Sequence, residues 1–415
     1  MLANSAAIDI SPPAGIFLAG MGWDRPLSPS NHDPIMGRCL ILQEGQAKWV
    51  LLSNDLIAYS EYDYNRVRDK IEAADPSLKD ATLTIACSHN HSGPAGYRCY
   101  EQSIRKHAAT DAQIWLDYLD MVVDRFAEVI LETNRELKDA QIGFGMSESD
   151  VNMNRWHIDA EGKAWFIPWK RELEPNHTID HEMLIMSVQD IEGNAIASVY
   201  NYAMHAIVVC LQSDECTADF PGIVARLIEA KVGGQCMFLG GACGDVHPYD
   251  FDRGFEAAEK VGARLSEAIL SVLPDIEYTD SLDLRTREFR VPIEVCDPDD
   301  PNIGLGMGRD DMLMQAIAIN GETAFVAIPG EPYIEIALKL KELSGFSKTG
   351  TIALANDFVG GVCEKRFYTD YFALKEPYEK HDYEKTCTRP DFTFESTDRL
   401  IEMSLQALKE MKRGI

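Results

Sequence analysis

The chain has 415 residues, enough for one large domain or two ordinary ones, and its 46% hydrophobic content is that of a globular protein. A formal net charge of −28 argues against nucleic acid and anionic membrane surfaces as partners, because both are polyanions. No apolar run reaches the roughly 18 residues that a membrane span needs, so no membrane insertion is expected.

The first residues, Met-Leu-Ala-Asn-Ser-Ala-Ala-Ile-Asp-Ile, have neither a basic start nor an apolar core, and do not read as a signal peptide. The ten cysteines are scattered without a Cys-x-x-Cys pair. Cys39, Cys87, Cys210, Cys236 and Cys243 sit in or beside apolar runs and read as reduced core residues of a cytoplasmic protein, and the spacing suggests no thiolate metal site. Residues 1–37 contain Ser11-Pro-Pro-Ala-Gly15 and Leu18-Ala-Gly-Met-Gly22, read as irregular chain with tight turns. His32-Asp33-Pro34 reads equally as a plain turn or a site loop.

A pattern then begins. Arg38–Gln43 and Lys48–Ser53 alternate as strands around a Glu44-Gly-Gln turn, Glu61–Ala73 has helical spacing, and Ala81–Cys87 is a third strand. Hairpin, helix and strand recur over Met183–Val188, Ala195–Tyr200, Asp219–Lys231 and Cys236–Leu239. They recur again over Met312–Ile319, Ala324–Ile328, Tyr333–Leu343 and Thr351–Ala355. Amphipathic helices are predicted at Asp111–Asn134, Gly254–Leu273 and Thr397–Met411. The expected fold class is α/β, with mixed β-sheets flanked by helices and built from repeated hairpin–helix–strand units. No linker is evident, so residues 1–415 are expected to form one domain.

Polar residues gather just past the strand ends, the edge where α/β sheets build sites. The first strand-end group is Ser88-His89-Asn90-His91-Ser-Gly-Pro94. Positions i and i+2 of an extended chain face the same way, so His89 and His91 would project together. That arrangement suits two imidazoles on one metal ion, or one ligand beside one acid/base. Two polar residues capping a strand is the plainer alternative. The other groups hold His205, Asp245 and His247, then Glu331 and Asp357.

The chain resembles the catalytic domain of the neutral (alkaline) ceramidases, which are zinc-dependent amidases. The resemblance runs along nearly the whole sequence. It is carried by Met21-Gly22, His32, Ser88-His-Asn-His-Ser-Gly-Pro94, Asn152-Met-Asn-Arg155, Asp180, Ala203-Met-His205, Ala218-Asp219, Gly244-Asp245-Val-x-Pro248, Pro329-Gly-Glu331 and Asn356. It implies that His89, His205 and Glu331 ligate Zn2+. It implies that His91 stands beside the metal as acid/base or substrate contact, and that Arg155 faces the pocket. Two imidazoles and one carboxylate leave a position for water, whose pKa zinc lowers towards about 7.

The sequence also departs from the family pattern. A tyrosine expected on the metal aligns with Gly361, and a functional serine aligns with His247. Three readings of His247 stay open: a fourth ligand, a general base, or a strand cap. Asp55, Asp219 and Asp245 read as residues that orient histidines or cap helices. Neither the family's C-terminal immunoglobulin-like domain nor its secretory signal is expected. Val362–Phe394, with Tyr383-Glu384, reads as a long loop over the pocket.

The resulting expectation is a cytoplasmic, zinc-dependent hydrolase that cleaves an amide or ester bond of a small or soluble substrate other than ceramide. His91, His247 and Arg155 are its expected catalytic residues. A metal-dependent carbohydrate-active enzyme acting on a glycan, and a degraded binding homologue, are the alternatives. The oligomeric state is not legible.

Overall fold

The computed structural model describes residues 1–20, 25–98, 112–160, 164–167, 172–294, 310–363 and 392–414. In chain order, β1 (Leu2–Asp9), β2 (Met36–Glu44) and β3 (Ala47–Asn54) precede α1 (Glu61–Ala74) and β4 (Thr82–Cys87). Next come α2 (Ala112–Arg135), β5 (Lys138–Glu148), β6 (Asn152–Asn154), β7 (Trp156–Ile158), β8 (Ala164–Phe166), β9 (Glu182–Asp190) and β10 (Ala195–Tyr202). They are followed by α3 (Asp219–Val232), β11 (Gln235–Gly240), β12 (Val246–Pro248), α4 (Phe255–Val272), β13 (Leu284–Pro292), β14 (Asp311–Ile319) and β15 (Thr323–Ala327). The last are β16 (Glu331–Pro332), α5 (Ile334–Leu343), β17 (Lys348–Ile352), β18 (Gly361–Val362) and α6 (Phe394–Arg413).

The repeating unit is present three times. In each, an antiparallel hairpin is followed by a helix and a strand parallel to the second hairpin strand: β2–β3–α1–β4, β9–β10–α3–β11 and β14–β15–α5–β17. The first two units lie in one eight-stranded sheet, ordered β11-β10-β9-β5-β1-β2-β3-β4. The third lies in a four-stranded sheet, β13-β14-β15-β17.

Side-chain alternation shows how these layers stack. In β2, Cys39 and Ile41 join a core shared with α1 and α2, while Leu40 and Leu42 join a second core with Ile317, Phe325 and Ile352 of the small sheet. In β15, Phe325 and Ala327 enter that second core, and Ala324 and Val326 face α5 and α6. The two sheets are therefore packed face to face with helices on both outer surfaces. β1 and β5 share only two residue pairs. The large sheet curls from there, bringing β11 back beside β3, where Ser53 Oγ donates to the Phe238 carbonyl at 2.6 Å.

Some expectations are corrected. Residues 2–9 form β1 rather than irregular chain; their small side chains hide a strand that full-length pairing with β2 defines. β5 and β13 are further strands not anticipated. The last strand of the third unit is Lys348–Ile352, not Thr351–Ala355. Residues 352–355 stay buried, but Leu354 has left extended geometry with φ +53°. Among the described residues, no helix is long and apolar enough to cross a membrane. Most of the expected loop 362–394, with Tyr383 and Glu384, lies outside the described residues, as do Met21 and Gly22.

Candidate metal centre

Three chain segments converge where the two sheets meet. β4 ends at Cys87, and His89 and His91 follow. β10 ends at Tyr202, three residues before His205. β15 leads through Pro329-Gly330 to Glu331 on β16. An isolated bridge between Asn90 and Ala206 joins the first two segments, with His91 N–H donating to the Ala206 carbonyl at 3.0 Å. His89 has φ +57°, uncommon for a residue with a Cβ and of the kind that gathers at functional sites.

Each histidine is oriented in the same way. Nδ1 of His89 lies 2.9 Å from the Ile57 carbonyl, Nδ1 of His91 3.1 Å from that of Gly20, and Nδ1 of His205 3.0 Å from that of Val246. A carbonyl only accepts, so Nδ1 of each ring carries a proton, and Nε2 is the atom left to face the cluster. Ligand atoms of the three rings lie within 4.8 Å of one another, and all three residues are buried. Glu331 Oε2 sits 3.3 Å from His89 Nε2 and 3.4 Å from His205 Nε2.

This donor set fits a divalent cation. With the rings neutral, their Nε2 lone pairs and the carboxylate are acceptors facing acceptors, which a positive charge between them would hold together. Tetrahedral ligation at about 2.0–2.1 Å sets donors about 3.3 Å apart, close to the spacing found here. His91 Nε2 is buried and has no hydrogen-bond partner. Its outlet is a bound ion, a water or a substrate atom.

The electrostatics agree. Burial pushes His205 down to about 4 even though Glu331 pulls upward. Burial and the neighbouring His89 and His205 rings hold His91 well below the usual imidazole range. Burial disfavours the Glu331 carboxylate, but the adjacent His89 and His205 rings outweigh it and keep the group well below the usual carboxylate range. Ligation requires imidazole lone pairs and an ionised carboxylate, and the directions at His91, His205 and Glu331 run towards that state.

His247 and Arg155 reach the same place on a short ladder, β6 against β12. Arg155 Nη1 lies 3.3 Å from His247 Nε2, and the His247 ring is 4.8 Å from that of His205. Burial, with the nearby His205 and Arg155, holds His247 well below the usual range. Gly361 of β18 pairs in register with Glu331 of β16, so the residue next to Glu331 across this ladder has no side chain.

The aspartates stand back from the centre. Asp55 accepts from Met36 N–H, Asp219 from Val209 and Phe220 N–H, and Asp245 from Ile334 N–H and Asn154 Nδ2. His32 stacks on Phe255 and pairs with Asp33.

Sequence reasoning missed several contributors. Arg25 is a buried guanidinium donating to the carbonyls of His91 (2.7 Å), Cys210 (2.8 Å) and Ser213 (2.7 Å), so it braces the backbone behind the site. Phe358 lies 6.4 Å from the His89 ring and Phe251 5.2 Å from that of His247. Tyr333 bonds Arg155, and its only local signal is its place two residues past Glu331; Arg25 carries none.

No protein-family model matches the chain. It is 20% identical over 197 residues to neutral ceramidase B of Dictyostelium discoideum, which is 47% of this chain and 24% of that protein. To neutral ceramidase A of the same organism it is 19% identical over 201 residues, 48% of this chain and 27% of that protein. The match spans about a quarter of the length of these relatives. Among solved structures, neutral ceramidase from Pseudomonas aeruginosa superposes with a TM-score of 0.77 at 16% identity, covering 100% of this chain and 75% of that one. A ceramidase complexed with C2 gives 0.75 at 15% identity with the same coverage.

Proposed function

We propose, taking the neutral ceramidase-like fold as premise, that this chain is a metal-dependent hydrolase of an amide or ester bond. We place its substrate among small or soluble molecules rather than ceramide, because Gly361 and His247 depart from the family pattern beside the cluster. The observation that carries the reading is the convergence of His89, His205 and Glu331, with both Nε2 atoms within 3.4 Å of one carboxylate oxygen.

His89, His205 and Glu331 would hold the cation, and the imidazole and carboxylate donors favour Zn2+. When bound, such an ion supplies Lewis acidity, bringing the pKa of water towards neutrality and polarising a carbonyl. The rest falls to the protein. Gly20 and the Nδ1–H of His91 fix that ring so that Nε2 accepts a proton from the attacking water and returns it to the departing nitrogen or oxygen. The Arg155 guanidinium stabilises negative charge developing on the carbonyl oxygen. Ile57 and Val246 hold the ligand rings in one tautomer throughout.

Elemental analysis together with turnover of p-nitrophenyl acetate and N-acyl anilides tests this. We expect about one equivalent of zinc, activity lost on chelation and restored by zinc, and loss of both metal and activity in His205→Ala. Less than about half an equivalent of any divalent ion, or unchanged metal and activity in His205→Ala, would overturn the proposal.

A further inference from the structure

The contact between Arg155 and His247 carries more information than its distance. A guanidinium has only N–H donors. The His247 Nε2 facing Arg155 Nη1 at 3.3 Å must therefore be the lone-pair nitrogen, and the ring proton sits on Nδ1. A nitrogen that accepts from Arg155 is not available to a cation, and a protonated Nδ1 is neither a ligand nor a base.

The ring is enclosed by the site. His247 is 3% exposed, and its ring is 4.8 Å from that of His205 and 5.2 Å from that of Phe251, inclined at 28° to the latter. Its partner is held as well. Arg155 N–H donates to the Asp245 carbonyl at 2.8 Å, and the guanidinium also bonds the Tyr333 side chain. The same strand β12 offers the Val246 carbonyl to His205 and the His247 ring to Arg155, so one short segment orients both a candidate ligand and the cation beside it.

We propose that His247 is a positioning residue: a neutral imidazole, protonated on Nδ1, whose Nε2 anchors Arg155 beside the His89–His205–Glu331 cluster and which neither binds metal nor moves a proton. The proposal rests on the hydrolase reading only for the reaction that Arg155 would serve.

Long-range 1H–15N correlation spectra of the zinc-loaded protein carrying 15N-labelled histidine test it, with His247 assigned by the signal missing in His247→Gln. We expect the Nδ1–H pattern at pH 7, shifting towards Nε2–H in Arg155→Met. An Nε2–H or imidazolium pattern in the unaltered protein, or no change in Arg155→Met, would overturn it. A kinetic arm uses p-nitrophenyl acetate. Glutamine can set an oxygen where Nε2 lies, and asparagine is too short. His247→Gln should thus keep at least about tenfold more kcat/KM than His247→Asn, both with the zinc content of the unaltered protein. Zinc loss in His247→Gln would make His247 a ligand; equal loss of activity in both variants, with the acid limb of the pH–rate profile gone, would make it a base, and either result defeats the proposal. Should the unaltered protein not turn over the ester, the hydrolase reading fails, while the spectra and zinc contents still decide this one.

Discussion

At Gly20 there is no room for a side chain. A Cβ there would lie 2.4 Å from His91 Nδ1 and 2.8 Å from Ile57 Cδ1, and the residue has φ +99°, a value L side chains rarely adopt. The carbonyl that orients His91 is thus delivered by the one residue type that fits. Gly20→Ala should push that carbonyl off Nδ1 and disturb Ile57, whose own carbonyl orients His89. His89 is the candidate ligand of the two, and loss of such an outer partner costs about 10- to 100-fold in metal affinity. Competition against a chromophoric chelator should show a drop of that size; affinity within about twofold of the unaltered protein would refute the argument. The same example shows what a sequence can reveal. His89, His91, His205 and Glu331 are legible because their chemistry is in their side chains and they follow strand ends. The carbonyls of Gly20, Ile57 and Val246 are not, because every residue has one and only the fold selects which is used.

Two of the histidines follow the end of β4, and one residue from the other sheet's unit supplements the pairing of that strand with β3. Asn356 Oδ1 accepts from Ile85 N–H at 2.8 Å, and Asn356 N–H donates to the Ile85 carbonyl at 2.7 Å, so a single asparagine acts as a strand partner to β4. Its φ of +67° suits asparagine better than most residues. Asn356→Ala would leave the buried Ile85 N–H unsatisfied, at about 1–3 kcal/mol, and place alanine in a left-handed conformation for about 1–2 kcal/mol more. Urea unfolding should show a loss of about 2–5 kcal/mol; less than about 1 kcal/mol would mean that β4 does not depend on this clamp. At this scale the repeating units were legible, since alternating strands bracket Glu44-Gly45, Gly193-Asn194 and Asn320-Gly321 turns. β13 was not, because Arg287, Glu288 and Arg290 interrupt its apolar pattern and pairing with β14 defines it. β17 was placed too late because the apolar run 352–355 continues in the core after the ladder has ended.

Across the whole molecule, a surface of net charge −28 surrounds buried carboxylates that are themselves costly to ionise. Burial raises Asp219 to about 6 despite hydrogen bonds from the Val209, Phe220 and Val208 backbone. With an ordinary value near 3.8 when unfolded, the folded chain binds this proton more tightly. Its contribution is therefore full below about pH 4, declines as pH rises to about 6, and is absent above. A shift of about 2 units corresponds to about 3 kcal/mol. Surface self-repulsion acts in the same direction, growing with pH as carboxylates ionise, but salt screens it, with a Debye length of about 10 Å at 0.1 M. The buried histidines act oppositely: His205, held to about 4, favours the folded state less as pH falls below 6.5. Comparing Asp219→Asn with the unaltered protein in high salt cancels both. Between pH 4.5 and 7.5, urea unfolding should show the unaltered protein losing about 2 kcal/mol relative to the variant, whatever the variant's absolute stability. Parallel pH profiles would mean that Asp219 titrates as it does in the unfolded chain, and that burial at the start of α3 does not set its proton affinity.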